Sequence, residues 1–157
     1  MRYKSMIFLP ISINITTKKV MIVGGGRIAA NKLALLTQFT DNITVLAPEI
    51  ISEIKNANVN IVEKEFSTSD IEDFSLIYAC TSDHCLNQKI KEEANARGIL
   101  VNVVDNRDLC DFISPAIYKH DYLTIAVSSN GQNIRTAIKI RDRIKEIFEN
   151  DKAFFLE

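Results

Sequence analysis

The amino-acid sequence predicts an α/β protein, with a parallel sheet covered by helices on both faces and a small unit of one β-hairpin and one helix. Two observations predict the sheet. Short, continuously apolar strands alternate with segments of helical periodicity, and these strands lack the polar alternation of a half-exposed sheet. A third observation predicts the small unit, because two strand-like runs after Asp105 follow each other without a helix between them.

The elements of the sheet region are predicted from the spacing of apolar residues along the chain. Ser82 or Asp83 is expected to cap the last helix of this region, and Gly98 stands where such a helix ends. The predicted segments are strands at 19–23, 43–46, 59–62, 75–80 and 99–104, with helices at 27–39, at 50–56 and from 82 or 83 to 97.

The small unit is predicted from a change of pattern near residue 112. Strands at 112–118 and 122–128 are joined by a tight Lys-His-Asp turn, and a helix follows from about 133 to 149. Such a unit is small for a core of its own, so we expect it to need a partner surface. The predicted domains are therefore 1–112 and 113–149, with a tail at 150–157. The apolar side of the last helix is expected to contain Ile134, Ala137, Ile138, Ile144, Ile147 and Phe148.

Composition excludes several classes of function. The 19 basic and 20 acidic residues leave a net charge of −1, which argues against a general binder of nucleic acid or of anionic membranes. No apolar run approaches the roughly 20 residues of a membrane span. The N-terminal apolar stretch is short and ends at Pro10, so it does not predict a signal peptide.

The cysteines and histidines are interpreted as structural or surface residues. Cys80, Cys85 and Cys110 match no zinc spacing, and they predict buried free thiols in a reducing cytoplasm. For His84, in the first turn of a helix, a surface or capping role is favoured over catalysis. His120 is expected to be solvated in the hairpin turn.

Three of the five glycines stand in a row, directly after the first predicted strand. Gly24-Gly25-Gly26-Arg27-Ile28-Ala29 fits the pattern G-x-G-x-x-G/A, in which the first glycine makes a tight turn and the second lets the backbone approach a pyrophosphate. The N–H groups at the start of the next helix then hold the phosphates. We predict a Rossmann-like, NAD-binding domain over residues 1–112; the alternative is a glycine-rich turn without a ligand.

The end of the second strand indicates which dinucleotide binds. Many NAD enzymes carry an acidic residue there that binds the ribose hydroxyls. In this chain the acidic residue is Glu49, which comes after Pro48, and no arginine stands beside it to accept a 2′-phosphate. NAD is therefore favoured over NADP.

Five segments together resemble one family. The stretches "VMIVGGGRIAANKLALL", "ITVLAPE", "YACTSDHCLNQKI", "ILVNVVDNRDLCDFISPAI" and "LTIAVSSNGQ" have the order and spacing of the precorrin-2 dehydrogenase family, also called sirohydrochlorin ferrochelatase, which forms the N-terminal part of siroheme synthase. The resemblance implies NAD-dependent oxidation of precorrin-2 to sirohydrochlorin in siroheme biosynthesis. It also implies a cytoplasmic homodimer whose contacts come from the small second domain, and in many members insertion of Fe²⁺.

The resemblance also implies which residues form the site. The aspartate of "NVVD", Asp105, matches the family's catalytic carboxylate, although a role as a strand-end cap stays open on the residues alone. No metal ligands are predicted. The residues implied to bind NAD are Gly24, Gly25, Gly26, Arg27, Ile28, Pro48, Glu49, Thr81 and Ser82, and those implied near the tetrapyrrole are Asn102, Ser129 and Gly131.

Two features leave alternatives open. The last predicted helix carries five cations, Arg135, Lys139, Arg141, Arg143 and Lys145, which form either a solvated face or a surface for the carboxylates of a tetrapyrrole. The family has a Gly-Gly pair and then Ser-Pro before this helix, whereas this chain has Asn130 and Ile134, so we expect a looser helix start. As a function of another class, a non-enzymatic NAD-sensing regulatory module remains the alternative.

Overall fold

The structure is a computed structural model that describes residues 6–104 and 106–150. It contains a five-stranded, all-parallel sheet with the strand order β3-β2-β1-β4-β5, so the predicted parallel α/β fold of Rossmann type is confirmed. The elements of this part are β1 (Val20–Val23), α1 (Arg27–Leu36), β2 (Ile43–Ala47), α2 (Ser52–Lys55), β3 (Asn60–Glu63), β4 (Leu76–Ala79), α3 (His84–Ala96) and β5 (Leu100–Val103).

The sheet is buried on both faces around its central strand. All four residues of β1 are buried, as are all four of β4, which explains the lack of alternation in their sequences. Helix α1 packs Ala29, Leu33 and Leu36 into one core cluster. Helix α3 buries Ile90 and Ala94, two members of the predicted apolar stripe.

Helix α3 begins and ends as the sequence predicts. The side chain of Asp83 accepts hydrogen bonds from the backbone N–H groups of Cys85 (2.9 Å) and Leu86 (3.1 Å), so Asp83 is the N-cap and His84 lies in the exposed first turn. At the other end Gly98 has φ +71°, the left-handed conformation that glycine adopts readily.

Two short 3₁₀ segments were not predicted. The first, Thr68–Ile71, is closed by a capping box in which the Ser67 N–H donates to the Asp70 carboxylate at 2.8 Å. The second, Arg107–Leu109, follows β5. Helix α2 is also shorter than the predicted helix at 50–56, because Ile51 has an extended backbone and is the N-cap.

The second part contains an antiparallel hairpin of β6 (Ala116–His120) and β7 (Leu123–Val127), followed by α4 (Ile134–Asn150). The predicted Lys-His-Asp turn at 119–121 is wrong, because the observed turn begins two residues later and ends one residue later. His120 pairs with Leu123, and the turn consists of Asp121, with φ +49°, and Tyr122. The hairpin also begins at Ala116 rather than at residue 112.

By contact density the chain divides into two compact units. Ile11–Phe112 form one, and the described residues 6–10 and 113–150 form the other. Residues 6–10 therefore fall outside the unit of Ile11–Phe112, whereas the sequence-based boundaries placed 1–112 together. The Asn130 side chain holds these residues with two hydrogen bonds. Its Oδ1 accepts from the Phe8 N–H (2.8 Å), and its Nδ2 donates to the Met6 carbonyl (2.6 Å).

Helix α4 has an ordered start despite the absence of proline. Oδ1 of Asn133 accepts from the Thr136 N–H at 3.0 Å, which is the geometry of an N-cap. The expectation of a start looser than the family's proline start stays a prediction. Arg141 fastens α4 to the hairpin by donating from Nη1 to the Ile117 carbonyl at 2.9 Å. Much of the apolar side stays uncovered within the unit, since Ile134 is 67% exposed and Ile138, Ile140 and Ile147 are also exposed.

The cysteines are free, and they differ in burial. Cys80 and Cys110 are buried as expected, whereas Cys85 is exposed because it lies in the first turn of α3, so the expectation of three buried thiols is wrong for Cys85. Among the described residues no helix combines the length and the apolar character that a membrane span requires.

Candidate functional site

The candidate site lies at the carboxyl edge of the parallel sheet. In the strand order β3-β2-β1-β4-β5, the connections after β1 and β4 run to opposite sides, which opens a crevice at the carboxyl ends of these two strands. The glycine loop follows β1, and Thr81 and Ser82 follow β4. The structure thus brings two of the predicted cofactor segments, the glycine loop and Thr81 with Ser82, to neighbouring strand ends.

Gly24 and Gly25 are required by close packing. Gly24 has φ +130°, and a Cβ added there would lie 2.6 Å from the Cys80 carbonyl oxygen. A Cβ at Gly25 would overlap the carbonyl oxygen of Glu49. The backbone of Gly25 is also tied to that loop, because the Ile51 N–H donates to its carbonyl at 3.0 Å. These two glycines hold the loops after β1, β2 and β4 together.

Gly26 is the open member of the three. A Cβ added at Gly26 meets no atom within 4 Å, and Gly26 is the N-cap of α1 without a side-chain hydrogen bond to the helix. Arg27 and Ile28, the first residues of α1, are exposed. An uncapped helix start with open space in front of it fits the phosphates of a dinucleotide, since its N–H groups point outward.

The loop after β4 is organised by a residue that sequence reasoning missed. Asn87 on α3 is 2% exposed; its Nδ2 donates to the Thr81 carbonyl (3.0 Å), and its Oδ1 lies 2.7 Å from the Thr81 hydroxyl. Thr81 is thus engaged within the loop, while Ser82 beside it is exposed. The sequence did carry one sign of this buried role, because Asn87 lies three residues before Ile90 and so falls on the apolar face of α3.

Pro48 and Glu49 lie at the carboxyl end of β2, and both are exposed. The backbone carbonyl of Glu49 faces Gly25. Glu49 as a residue is exposed, so its carboxylate is open to a ligand in solvent. A carboxylate there can accept hydrogen bonds from ribose hydroxyls.

The predicted catalytic residue, Asp105, lies outside the described residues. Its neighbours are described: the Val104 N–H donates to the Ala79 carbonyl at 3.0 Å, and the Asn106 N–H donates to the Val103 carbonyl at 3.3 Å. Asn102, predicted near the substrate, is 6% exposed, and its amide nitrogen donates to the Phe112 carbonyl at 2.9 Å. This bond ties β5 to residue 112, and the substrate role of Asn102 stays a prediction.

Ser129 and Gly131 belong to a tightly bonded loop before α4. The Ser129 hydroxyl accepts from the Asn133 N–H at 3.0 Å, and its carbonyl accepts from Gln132 at 3.0 Å. Asn130 and Gly131 have φ values of +55° and +71°, so the replacement of a glycine by asparagine preserves a left-handed turn.

The basic residues of α4 separate into two groups. Arg141 lies against Asp142, Arg143 against Glu146 and Lys145 against Glu149. No such pair is found for Arg135 and Lys139 within the described part of the chain, and both are exposed. The described residues contain no group of three His, Cys, Asp or Glu side chains able to hold a metal.

Comparison with a family model identifies the glycine-loop unit. Residues 11–116 match the family described as "Putative NAD(P)-binding". The match spans the whole parallel sheet, including the loops after β1 and β4 at the crevice.

Comparison with individual proteins extends over more of the chain. It is 34% identical to "Siroheme synthase" of Nitrosococcus oceani, over 90% of this chain and 31% of the relative, and 39% identical to that of Ectopseudomonas mendocina, over 89% and 31%. The chain thus spans about a third of the length of these relatives. A solved structure titled "SirC, precorrin-2 dehydrogenase" shares the fold, with a TM-score of 0.76 and 23% identity over 88% of this chain and 70% of that one.

Proposed function

The chain belongs to the NAD(P)-binding family whose model it matches, and on this premise we propose that it oxidises precorrin-2 to sirohydrochlorin with NAD, a step of siroheme biosynthesis. The observation that carries the proposal is the extent of the similarity to siroheme synthases. It covers 90% of this chain, and thus more than residues 11–116, so it includes much of the hairpin-and-helix unit as well as the dinucleotide fold. A shared dinucleotide fold alone would support only cofactor binding.

The glycine loop supports the choice of cofactor. NAD, when bound, supplies the acceptor for the hydride that leaves the macrocycle. The open start of α1 at Gly26 offers N–H donors to its phosphates, and Glu49 offers a carboxylate to its ribose hydroxyls. Because a carboxylate repels a 2′-phosphate, we propose NAD rather than NADP.

We propose that Asp105 accepts the proton that leaves the macrocycle in the reaction. Dehydrogenation removes a hydride and a proton, and the hydride goes to NAD, so a base must accept the proton. In the sequence Asp105 comes two residues after the last residue of β5, and ligands of parallel sheets bind at the carboxyl ends of the strands. Arg135 and Lys139 are the cations that we propose for the carboxylates of the tetrapyrrole.

The test uses Asp105→Asn and Asp105→Ala, with NADH formation from precorrin-2 as the readout. Loss of a general base should lower kcat by about 10² to 10⁴ while the Kd for NAD stays near that of the wild type. Near-normal rates in both variants, with NAD still bound, would show that Asp105 is structural.

Insertion of Fe²⁺ is a second activity that we propose, because siroheme is an iron complex and the similar proteins are named siroheme synthases. Iron would enter as a substrate, while two pyrrole protons leave. Absorbance of the metal complex after adding Fe²⁺ or Co²⁺ to sirohydrochlorin measures this step separately. An unchanged spontaneous rate with the protein present would remove it from the proposal.

We also propose a homodimer in the cytoplasm. The exposed isoleucines of α4 offer an apolar surface that a second copy could cover. Three free cysteines fit a reducing compartment.

A further inference from the structure

The loop between β4 and α3 is tied to the glycine loop at its first residue. The Cys80 N–H donates to the Val23 carbonyl at 2.7 Å, and the Gly24 backbone packs so closely on the Cys80 carbonyl that a Cβ would not fit between them. The loop after β4 therefore contacts the loop after β1, at the crevice where ligands of parallel sheets bind. Its further course decides which groups it can offer to a cofactor.

Asn87 on α3 holds the next residue of this loop through both polar groups of its side chain. Its Nδ2 donates to the Thr81 carbonyl, and its Oδ1 is the nearer acceptor for the Thr81 hydroxyl, at 2.7 Å against 3.1 Å for the Asp83 carbonyl. The same hydroxyl accepts from the Asp83 N–H at 3.2 Å. Because a hydroxyl has a single proton to donate, the side chain of Thr81 is engaged by the protein rather than offered as a donor to a ligand.

Ser82 is the member of the loop whose polar groups stay available. It is exposed, and its N–H, carbonyl and hydroxyl find no hydrogen-bond partner among residues 6–104 and 106–150. Its neighbours on both sides are bonded, Thr81 to Asn87 and Asp83 to the first turn of α3. The position of Ser82 is thus set by its neighbours, while its own donors and acceptors remain open to a ligand.

The start of α3 limits the kind of group that Ser82 can meet. The Asp83 carboxylate occupies N–H groups of the first turn of α3, whereas the start of α1 at Gly26 has no such acceptor. A carboxylate repels a phosphate, so the phosphates of a dinucleotide fit α1 and not α3. The loop after β4 therefore suits a neutral part of the cofactor, such as a ribose hydroxyl or an amide group.

Helix α3 is itself fastened to the outer edge of β5, the last strand of the described sheet. Lys91 pairs with the Asp111 carboxylate, which accepts from the Val101 N–H (2.9 Å), and the Asp111 N–H donates to the Val101 carbonyl (2.8 Å). Beside this pair, the Cys110 sulfur accepts from the Val103 N–H at 3.2 Å. Residues 110 and 111 thus bind the outward backbone groups of β5, and Asn87 acts from a helix that is joined to this edge.

We propose that Asn87 is a positioning residue for the cofactor, because it fixes Thr81 and thereby presents the free polar groups of Ser82 to a neutral part of NAD. The inference rests on the proposed function and deepens it, since it divides the two residues implied after β4 into one that is held and one that binds. An amide suits position 87, because one side chain must supply both a donor and an acceptor to Thr81.

The test measures the Kd for NAD by calorimetry in Asn87→Ala and in two matched controls. Asn95→Ala removes an exposed amide from the same helix, and Ile90→Val lowers stability on its buried face without touching the loop. Asn87→Ala should weaken NAD binding by about threefold to tenfold, the worth of roughly one hydrogen bond, because Ser82 loses its fixed place. Both controls should bind NAD as the wild type does.

A double variant separates positioning from general damage. Thr81→Val removes the hydroxyl that lies against the Asn87 amide. If Asn87 acts through Thr81, adding Asn87→Ala to Thr81→Val should cost less NAD affinity than adding it to the wild type. Losses that multiply, a wild-type Kd in Asn87→Ala, or an equal loss in Ile90→Val would each overturn the inference.

Two further measurements do not need the alanine variant. Asn87→Asp keeps the shape and the acceptor but its carboxylate has no donor for the Thr81 carbonyl, so a wild-type Kd in this variant would overturn the inference. In the wild type, the amide NMR signal of Ser82 should shift when NAD is added, and an unmoved signal would also overturn it. A wild type that does not bind NAD at all would instead overturn the proposed function, and this inference with it.

Discussion

At the scale of single residues, the three consecutive glycines have three different roles. Gly24 adopts a left-handed turn against Cys80, Gly25 packs on the Glu49 carbonyl, and Gly26 leaves open space at the start of α1. The sequence motif predicted the first and third of these roles. It could not predict the second, because the contact of Gly25 with Glu49 depends on how the loop after β2 folds back.

Gly26→Val should abolish NAD binding while the protein stays folded. A side chain there meets no protein atom, but it fills the space that we assign to the pyrophosphate. Calorimetric titration with NAD and a thermal melt measure the two effects.

Gly25→Ala is the control for stability. Its Cβ would overlap the Glu49 backbone, so this variant should have a lower melting temperature. A Gly26→Val variant that binds NAD with wild-type affinity would contradict the cofactor site.

The sequence could not show which buried polar side chains bind backbone groups outside their own helix or turn. Asn87 and Cys110 occupy positions that an apolar pattern assigns to the core, and their partners are backbone groups 6 or 7 residues away, in the loop after β4 and in β5. Asn102 adds a further bond that the sequence did not predict, from its amide nitrogen to the Phe112 carbonyl, while its implied place near the substrate stays a prediction.

At the scale of elements, the long periodic segments were predicted well. Helices α1, α3 and α4 and all five parallel strands occur where apolar spacing and capping residues placed them, within a few residues at their ends. The 3₁₀ segment Thr68–Ile71 escaped prediction although Ser67 and Asp70 have capping-box spacing, because one turn is too short to show helical periodicity.

Asp83→Ala should lower the free energy of unfolding by about 1 kcal/mol, because two N–H groups at the start of α3 lose their acceptor. Urea unfolding measures the change. Asp83→Asn retains an acceptor and should lie closer to the wild type, and an alanine variant as stable as the wild type would show that water replaces the cap at no cost.

The capping box at Ser67 and Asp70 should make stability depend on pH. Burial acts to raise the pKa of Asp70, but the hydrogen bond from Lys64 and those from Ser67 outweigh it and hold the pKa below 3.8. Since the folded-state pKa is the lower one, the carboxylate stabilises the fold above the unfolded value, and this contribution is lost as the pH falls through the folded value.

The difference in unfolding free energy between wild type and Asp70→Asn should therefore shrink between about pH 5 and pH 2. Denaturant titrations at several pH values measure it. A difference that stays constant over this interval would assign the effect of the substitution to something other than ionisation.

At the scale of the whole molecule, we expect two copies to associate. Helix α4 exposes Ile134, Ile138, Ile140 and Ile147, which is unusual for a helix of a stable monomer. Light scattering should give about twice the 17.7 kDa chain mass. Ile138→Lys should shift the mass toward one chain, whereas Lys139→Ala, beside it, should not. A clean monomer of the wild type at micromolar concentration would contradict this expectation.

The occupied edge of β5 also bears on unwanted association. A sheet grows into fibrillar aggregates by recruiting foreign strands along an open edge. At β5 that route is closed, because Cys110 and Asp111 bind the outward backbone groups of Val101 and Val103. At the opposite margin, β3 has only four residues and ends at Glu63, which pairs with Lys55, so the recruiting edge is short and charged. With one edge occupied and the other short and charged, the described sheet offers a poor template for polymerisation.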